Sequence, residues 1–209
     1  MSPQIIGSDG PAGSGKSTVA SAVAAKLAWT YLDTGSMYRA ITVGALRRGL
    51  DLHDDAAMGA YARGVTLVTR PRVVIDGEDV TSEIRTDETN RAVSIVAALP
   101  SVRESMVARQ RAFAADEPVG VVVEGRDITT VVFPDATLKI FLTASLEERA
   151  RRRGDEGSDS VARRDEADST RASSPLRQAD DAIVIDTTGL SVDQVVEEIL
   201  KCLTNTTSN

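Results

Sequence analysis

The sequence predicts an α/β three-layer fold, a five-stranded parallel sheet flanked by helices. Three observations lead there. Short β-branched apolar runs alternate with helical patterns along most of the chain. Residues 119–123 (Val-Gly-Val-Val-Val) form a continuous apolar run, as expected of a central parallel strand covered on both faces. A G-x-x-x-x-G-K-S stretch, Gly10-Pro11-Ala12-Gly13-Ser14-Gly15-Lys16-Ser17, joins the first apolar run to the first helix.

Taken in order, Gln4-Ile5-Ile6-Gly7 is the first strand and residues 17–27 are an alanine-rich helix packed on the sheet. Strand, glycine loop and helix together form a phosphate cradle, the P-loop arrangement. Glycines let backbone N–H groups turn inward, and the helix N-terminus adds partial positive charge. The spacing aims Lys16 at the β and γ phosphates of a nucleotide and offers the Ser17 hydroxyl to Mg²⁺. Lys16 is one of four lysines, with Lys26, Lys139 and Lys201, in a chain that otherwise uses arginine.

Trp29-Thr30-Tyr31-Leu32 is a short strand running into Asp33-Thr34-Gly35. A helix follows from Ser36 to about Arg48, closed by Gly49, and another from about Asp54 to Arg63. Across 64–86 the texture changes to β-branched runs at 65–69 and 72–75, the hairpin signal Asp76-Gly77, and a return strand Glu78-Asp79-Val80. This predicts a small antiparallel insertion. Helices over 87–98 and 102–114, separated by Pro100, lead back to the central run, which enters Glu124-Gly125-Arg126-Asp127. Residues 138–142 are the next strand, and Ser145 with Glu148 forms a capping box for a helix through Arg153. Residues 154–181 are polar and rich in arginine and aspartate. Residues 182–185 are the last strand. The capping box Ser191-x-x-Gln194 opens the final helix, with Val192, Val195, Val196, Ile199 and Leu203 as its buried stripe.

Ligands of open parallel sheets bind beyond the carboxyl ends of the strands. Asp9, Asp33, Glu124-Gly125-Arg126-Asp127 and Asp186 all follow strands, which makes that edge the predicted site. Phosphoryl transfer needs positive charge around an anionic centre and exclusion of water. Arg149, Arg151, Arg152, Arg153, Arg163, Arg164, Arg171 and Arg177 supply it on one polar segment, which reads as a lid closing over phosphates or as a solvated linker. Arg39 lies one turn after Thr34-Gly35, where a helix N-terminus and a bidentate guanidinium suit a monophosphate. Glu124 stands where an acidic residue orients Mg²⁺-bound water.

Composition narrows the classes. A net charge of −7 argues against general nucleic-acid binding, and one Trp, three Phe and three Tyr offer no stacking platform. The single Cys202 excludes an internal disulfide and suits a reducing cytoplasm. No signal-peptide or bilayer-length apolar run is present, so no membrane partner is expected. His53 reads as surface, Cys202 as core, and no Cys/His spacing suggests zinc. No serine has a histidine base for a hydrolase triad. With no exposed apolar stripe, the chain is expected to be a monomer.

Several of these segments together resemble one family. They are Asp9 with Gly10 to Ser17, Tyr31-Leu32-Asp33-Thr34-Gly35-Ser36-Met37-Tyr38-Arg39, Glu124-Gly125-Arg126-Asp127 with Val131-Val132-Phe133-Pro134-Asp135-Ala136, and Asp168-Ser169-Thr170-Arg171 with Pro175-Leu176 and Asp181-Ala182. In that order, over nearly the whole chain, they resemble bacterial cytidylate kinase. The resemblance implies transfer of the γ-phosphoryl of ATP to CMP or dCMP with Mg²⁺. It implies a core (about 1–35, 115–150 and 182–209), a nucleoside-monophosphate (NMP) binding region (about 36–114, with the β insertion at 64–86) and a lid (about 151–178). Gly10, Pro11, Ala12, Gly13, Ser14, Gly15, Lys16, Ser17 and Thr18, with Arg149 stacking on adenine and Arg153 nearby, are the implied ATP contacts. Ser94, Arg103 and Asp127 are implied to read cytosine. Asp33, Thr34, Arg39 and Arg126 are implied on the acceptor phosphate side, Arg164 and Asp168 on the ribose, and Arg171 on the phosphates. The implied catalytic set is Lys16, Arg126, Arg164 and Arg171, with Ser17 and Glu124 (through water) at the metal. One departure stands out: residues 153–164 are short for the family's lid, and its helical piece is expected to be mostly missing.

The nearest alternative is a small-molecule P-loop kinase for UMP or a shikimate-like acceptor. A GTPase switch would need a guanine-reading Asn-Lys-x-Asp, which is absent. A non-enzymatic nucleotide-binding module sits poorly with Lys16, Ser17 and the second arginine cluster.

Overall fold

The computed structural model describes residues 3–154 and 157–207, apart from the side chains of residues 157, 158, 160, 164 and 207. Its elements in chain order are β1 (Gln4–Asp9), α1 (Lys16–Leu27), β2 (Thr30–Asp33), α2 (Thr34–Arg47), α3 (Asp55–Gly64), β3 (Leu67–Val68), β4 (Val74–Ile75), β5 (Glu78–Asp79), α4 (Asp87–Val96), α5 (Pro100–Ala115), β6 (Gly120–Glu124), β7 (Leu138–Thr143), α6 (Leu146–Arg153), α7 (Gly157–Ser169), β8 (Ile183–Asp186) and α8 (Val192–Thr207). A 3₁₀ turn at Glu83–Arg85 and a π-helical turn at Ile128–Val132 complete the list. The chain divides into two units, Met1–Leu32 with Phe113–Asn209, and Asp33–Ala112.

The first unit carries the predicted five-stranded sheet, in the order β2-β6-β1-β7-β8. Strand β1 is central. It pairs in parallel with β6 (Ile6 opposite Val122, Ser8 opposite Glu124) and with β7 (Ile6 opposite Leu138, Asp9 opposite Phe141). Most of the apolar run that predicted a central strand lies in β6, which is buried along its whole length, while Val119 before it is exposed. Ile6, Val122, Leu138, Ile140, Leu142 and Ile185 meet Val19, Ala20, Val23 and Ala24 of α1 and Val195, Val196, Ile199 and Leu203 of α8 in one core. Because the strands are parallel and in register, the ends of β1 and β6 present Asp9-Gly10 and Glu124-Gly125 at the same edge of the sheet.

The second unit packs α2 against α4 and the 3₁₀ turn, beside a three-stranded antiparallel sheet β3-β4-β5. The β4–β5 turn is Asp76-Gly77, both at positive φ (50° and 85°), as a type I′ hairpin requires. Val73, Ile75 and Val80 are buried beneath it. Arg47 pairs with Glu78 and Glu83, and Arg48 with Asp76. These exposed pairs contribute at most about 1 kcal/mol each, so the buried apolar residues hold the hairpin.

The structure corrects the sequence reading at five points. Helix α2 begins at Thr34 rather than Ser36, because Asp33 is its N-cap and accepts the Ser36 N–H at 3.0 Å. Pro100 opens α5 as well as ending α4, since its missing N–H would find no partner in a first turn anyway. Val192 is exposed, because it precedes the face of α8 that meets the sheet. Ser145 caps α6 at the Glu148 N–H (3.2 Å), but the reciprocal half of the box is absent. The Ser145 N–H goes to Thr188 Oγ1 at 2.9 Å, and the Glu148 carboxylate turns to Arg151 and Arg152. The fifth concerns the polar segment after Arg153, where the helical piece expected to be mostly missing is present as α7. Its composition hides it: Val161 and Asp168, two turns apart on one face, are its buried residues among those described.

Candidate active site

The phosphate loop is shaped by what lies behind it. Gly10 has φ +151°, and a Cβ there would stand 2.0 Å from the Leu142 carbonyl oxygen. Gly13 has φ +78°, and a Cβ would stand 2.7 Å from the Arg149 carbonyl oxygen. Only glycine tolerates both the dihedral and the approach. The loop closes around its own lysine: Lys16 Nζ donates to the Pro11 carbonyl at 2.8 Å, with Ser14 Oγ at 3.5 Å. Lys16 is 5% exposed. Burial, and then the Arg126 charge, bring its pKa down to about 7, against the pull of Glu124, Asp168 and Asp9. Ser17 and Thr18 are exposed on the first turn of α1. Ser17 Oγ donates to Glu124 Oε1 at 2.8 Å, and the Tyr31 hydroxyl stands 3.5 Å from the same oxygen.

The segment after β6 is tightly built. The Gly125 N–H donates to the Ser8 carbonyl at 3.0 Å, continuing the ladder one residue past the strand. Arg126 Nε donates to Asp168 Oδ2 at 2.7 Å. Burial acts to lower the Arg126 pKa, but Asp168, Glu124 and Asp165 more than offset it, so the guanidinium stays charged. Arg171 Nε donates to the Asp168 carbonyl at 3.3 Å, and its Nη2 lies 3.8 Å from Asp168 Oδ1. Asp168 is therefore the joint between the two arginines that the sequence reading assigned to phosphates. Asp127 is 5% exposed at the head of the π-helical turn.

The arginines of α6 and α7 are placed less as expected. Arg149 reaches under the loop: Nε donates to the Ala144 carbonyl and Nη1 to the Ala12 carbonyl, each at 3.1 Å, and Nη1 also pairs with Asp165. An adenine-stacking role does not describe this guanidinium as it stands. Arg153 is half-buried near the end of α6. Arg164 lies on α7, with its side chain outside the described residues.

Two residues that sequence reasoning missed, Asp165 and Thr187, hold the loop. Asp165 Oδ1 accepts the Ala12 N–H at 3.0 Å, so both polar atoms of the Ala12 peptide are tied to the Arg149–Asp165 pair. Thr187 Oγ1 donates to the Ser14 carbonyl at 3.1 Å. Arg152 Nη1 donates to that hydroxyl at 2.8 Å, and its Nη2 to the Thr187 carbonyl at 2.7 Å. The available signal was Asp186 following a strand, one residue from Thr187; nothing local singled out Asp165. Asp165→Ala leaves the Ala12 N–H and Arg149 without this acceptor. A loss of about 1–3 kcal/mol is expected in urea unfolding, against under 0.5 kcal/mol for the exposed Asp159→Ala.

In the second unit, Thr34 is buried in the first turn of α2, with the Asp33 cap. Arg39 is 7% exposed. It donates to the Ile84 carbonyl at 2.9 Å and to Asn90 Oδ1 at 2.7 Å, joining α2 to the 3₁₀ turn and α4. Arg103 on α5 donates to the Ala97 carbonyl at 3.1 Å, and its guanidinium carbon lies 5.6 Å from the Tyr38 ring centroid. Ser94 is half-buried on α4. His53 is exposed, and Cys202 is half-buried with its thiol pKa pushed up by burial. Among the described residues no three His, Cys, Asp or Glu side chains could hold a metal ion, and no helix is long and apolar enough to cross a membrane.

The chain is similar to the cytidylate kinase of Geobacillus kaustophilus, 49% identical with 94% of each chain covered. It is also similar to that of Bacillus pumilus, 50% identical with 93% of each covered. The crystal structure of shikimate kinase from Acinetobacter baumannii in complex with shikimate covers 97% of this chain and 94% of its own, with TM-score 0.51 and 12% identity, which shows a shared fold alone. The family model for cytidylate kinase matches residues 6–205, and the chain belongs to the cytidylate kinase family.

Proposed function

We propose that this protein transfers the γ-phosphoryl group of ATP to CMP or dCMP, giving ADP and CDP or dCDP, in pyrimidine nucleotide metabolism. The observation that carries the reading is Arg126-Asp127, held at the strand edge that also presents the phosphate loop and Lys16. One P–O bond to the β,γ-bridging oxygen breaks, and one forms to an oxygen of the acceptor phosphate. That acceptor is already anionic, so no general base is required. Catalysis is positioning and charge neutralisation.

The loop residues Gly10 to Thr18 cradle the ATP phosphates, and Lys16 leaves the Pro11 carbonyl for the transferring group. On the second unit, Thr34 and Arg39 serve the acceptor phosphate, and Ser94 and Arg103 serve the base. On the first, Arg126 and Arg171 serve phosphates, Asp127 the base, and Arg164 and Asp168 the ribose. Arg149 supports the loop, and Arg153 faces the nucleotide.

The Ser17 hydroxyl and the Glu124 carboxylate, 2.8 Å apart, are hard oxygen donors that fit Mg²⁺ completed by phosphate oxygens and water. When bound, the ion neutralises charge on the β and γ phosphates. Ser17 and, through water, Glu124 would hold it; Glu124 also keeps the Ser17 hydroxyl oriented.

An ADP-release assay over CMP, dCMP, UMP, AMP and shikimate tests the reading. Turnover with CMP and dCMP at least about tenfold above the others in kcat/KM is expected. Equal or better turnover with UMP, AMP or shikimate would overturn it, and equally slow release with every acceptor would favour a binding module.

A further inference from the structure

We propose that Asp9 is a positioning residue for base recognition: it caps the turn that Asp127 opens and so keeps the Asp127 carboxylate from capping it. The inference rests on the reading that Asp127 faces the acceptor base.

An aspartate at the head of a helical turn normally bends its carboxylate onto the N–H groups just inside that turn. Asp127 occupies this position for Ile128–Val132, at φ −142° and ψ 24°, and its side chain makes no capping hydrogen bond. The donors are taken from across the sheet. Asp9 Oδ1 accepts the Ile128 N–H at 2.8 Å. Asp9 Oδ2 accepts the Thr129 N–H and the Thr129 hydroxyl, each at 2.7 Å.

The sheet register makes this a built contact. Ser8 pairs with Glu124, and the Gly125 N–H bonds to the Ser8 carbonyl, so the next β1 residue stands opposite the turn. Gly7 lets the turn press against β1, since a Cβ there would lie 2.8 Å from Thr129 Cγ2. Asp9 is fully buried, and its burial pushes the carboxyl upward against the three donors that pull it down. An asparagine could not replace it, because its amide would meet an N–H donor where the second carboxylate oxygen now accepts. Asp9 also immediately precedes Gly10, so one residue ends the strand that launches the phosphate loop and sets the group that reads the base.

Without Asp9, the freed Thr129 N–H draws the Asp127 carboxylate inward as a local cap. A four-variant cycle of the full chain tests this: native, Asp9→Ala, Asp127→Ala and the double variant. The CMP-over-UMP ratio of kcat/KM and the melting temperature are measured for each. In the native background, Asp127→Ala is expected to relax the preference about 10–100-fold with little change in melting. Asp9→Ala is expected to relax it to a similar degree. In the Asp9→Ala background, Asp127→Ala then changes the preference by less than about twofold but lowers melting by about 3 °C, because it now removes a cap.

A purely structural Asp9 would give independent, additive effects on preference, and that outcome overturns the proposal. So does an Asp9→Ala variant with native preference. If Asp127→Ala alone keeps full CMP preference, the base-reading assignment falls and this inference falls with it. If Asp9→Ala does not fold, Asp9→Asn in the same cycle decides: a relaxation of about 3–10-fold supports the proposal and native preference refutes it.

Discussion

Replacing Lys16 with methionine is expected to give a protein that resists unfolding better than the native chain and turns over about 10²–10³-fold more slowly. Both effects come from one buried charge. The ammonium is enclosed by the loop, on the Pro11 carbonyl, with Arg126 as a repelling neighbour. Folding lowers its pKa from 10.5 to about 7. The folded state thus binds fewer protons than the unfolded state between about pH 7 and 10.5. The resulting destabilisation is fully present below pH 7 and fades as pH rises through that window. At pH 7 it amounts to at most about 4 kcal/mol. Methionine fills the space without the charge, so its stabilising effect should be largest near pH 6–7 and shrink toward pH 10. Urea unfolding of both proteins across that range checks the trend; a difference that grows with pH contradicts it. The same linkage acts on nucleotide binding. Polyphosphate restores the charged form, so binding takes up a proton above pH 7 and ATP affinity falls as pH rises. Titration calorimetry in buffers of different ionisation enthalpy measures that proton. Stability is here given up for a lysine whose burial holds its pKa below the usual range until an anion arrives.

Asp127→Ala is expected to reduce kcat/KM for CMP about 10–100-fold and to leave that for UMP within about threefold. Cytosine offers an N4 amine donor, which a carboxylate accepts, while uracil sets its O4 acceptor against the same group. With Asp127 only 5% exposed, an unmatched contact is not repaired by bulk water and costs about 1–3 kcal/mol. Alanine removes the match and the mismatch together, so the two substrates converge. Steady-state kinetics with both nucleotides read this directly, and an unchanged CMP-over-UMP ratio shows that Asp127 does not read the base.

Much of the architecture was legible in local pattern. Strand β6 announced itself as an unbroken apolar run, the hairpin as Asp76-Gly77, and the phosphate loop as glycines between a strand and a helix. Helix α7 did not, because a segment with one buried valine and a buried aspartate two turns apart carries almost no amphipathic signal. The partners of the loop were equally silent. Ala12 and Asp165 are 153 residues apart, Asp9 and Thr129 120. No periodicity or cap spacing reports pairs so distant.

The sequence alone determined the five strands with their helices, the phosphate cradle and, through several ordered motifs, the likeness to cytidylate kinase. These follow from side-chain period and from backbone freedoms unique to glycine, which act over a few residues. Only the tertiary structure decided that Arg149 supports the loop, that Asp165 and Thr187 fasten its Ala12 and Ser14 peptides, and that Asp9 rather than Asp127 caps the turn after β6. Hydrogen bonds of that kind exist only once the parallel register brings the strand ends together, and the register is set by the shared core of the whole sheet.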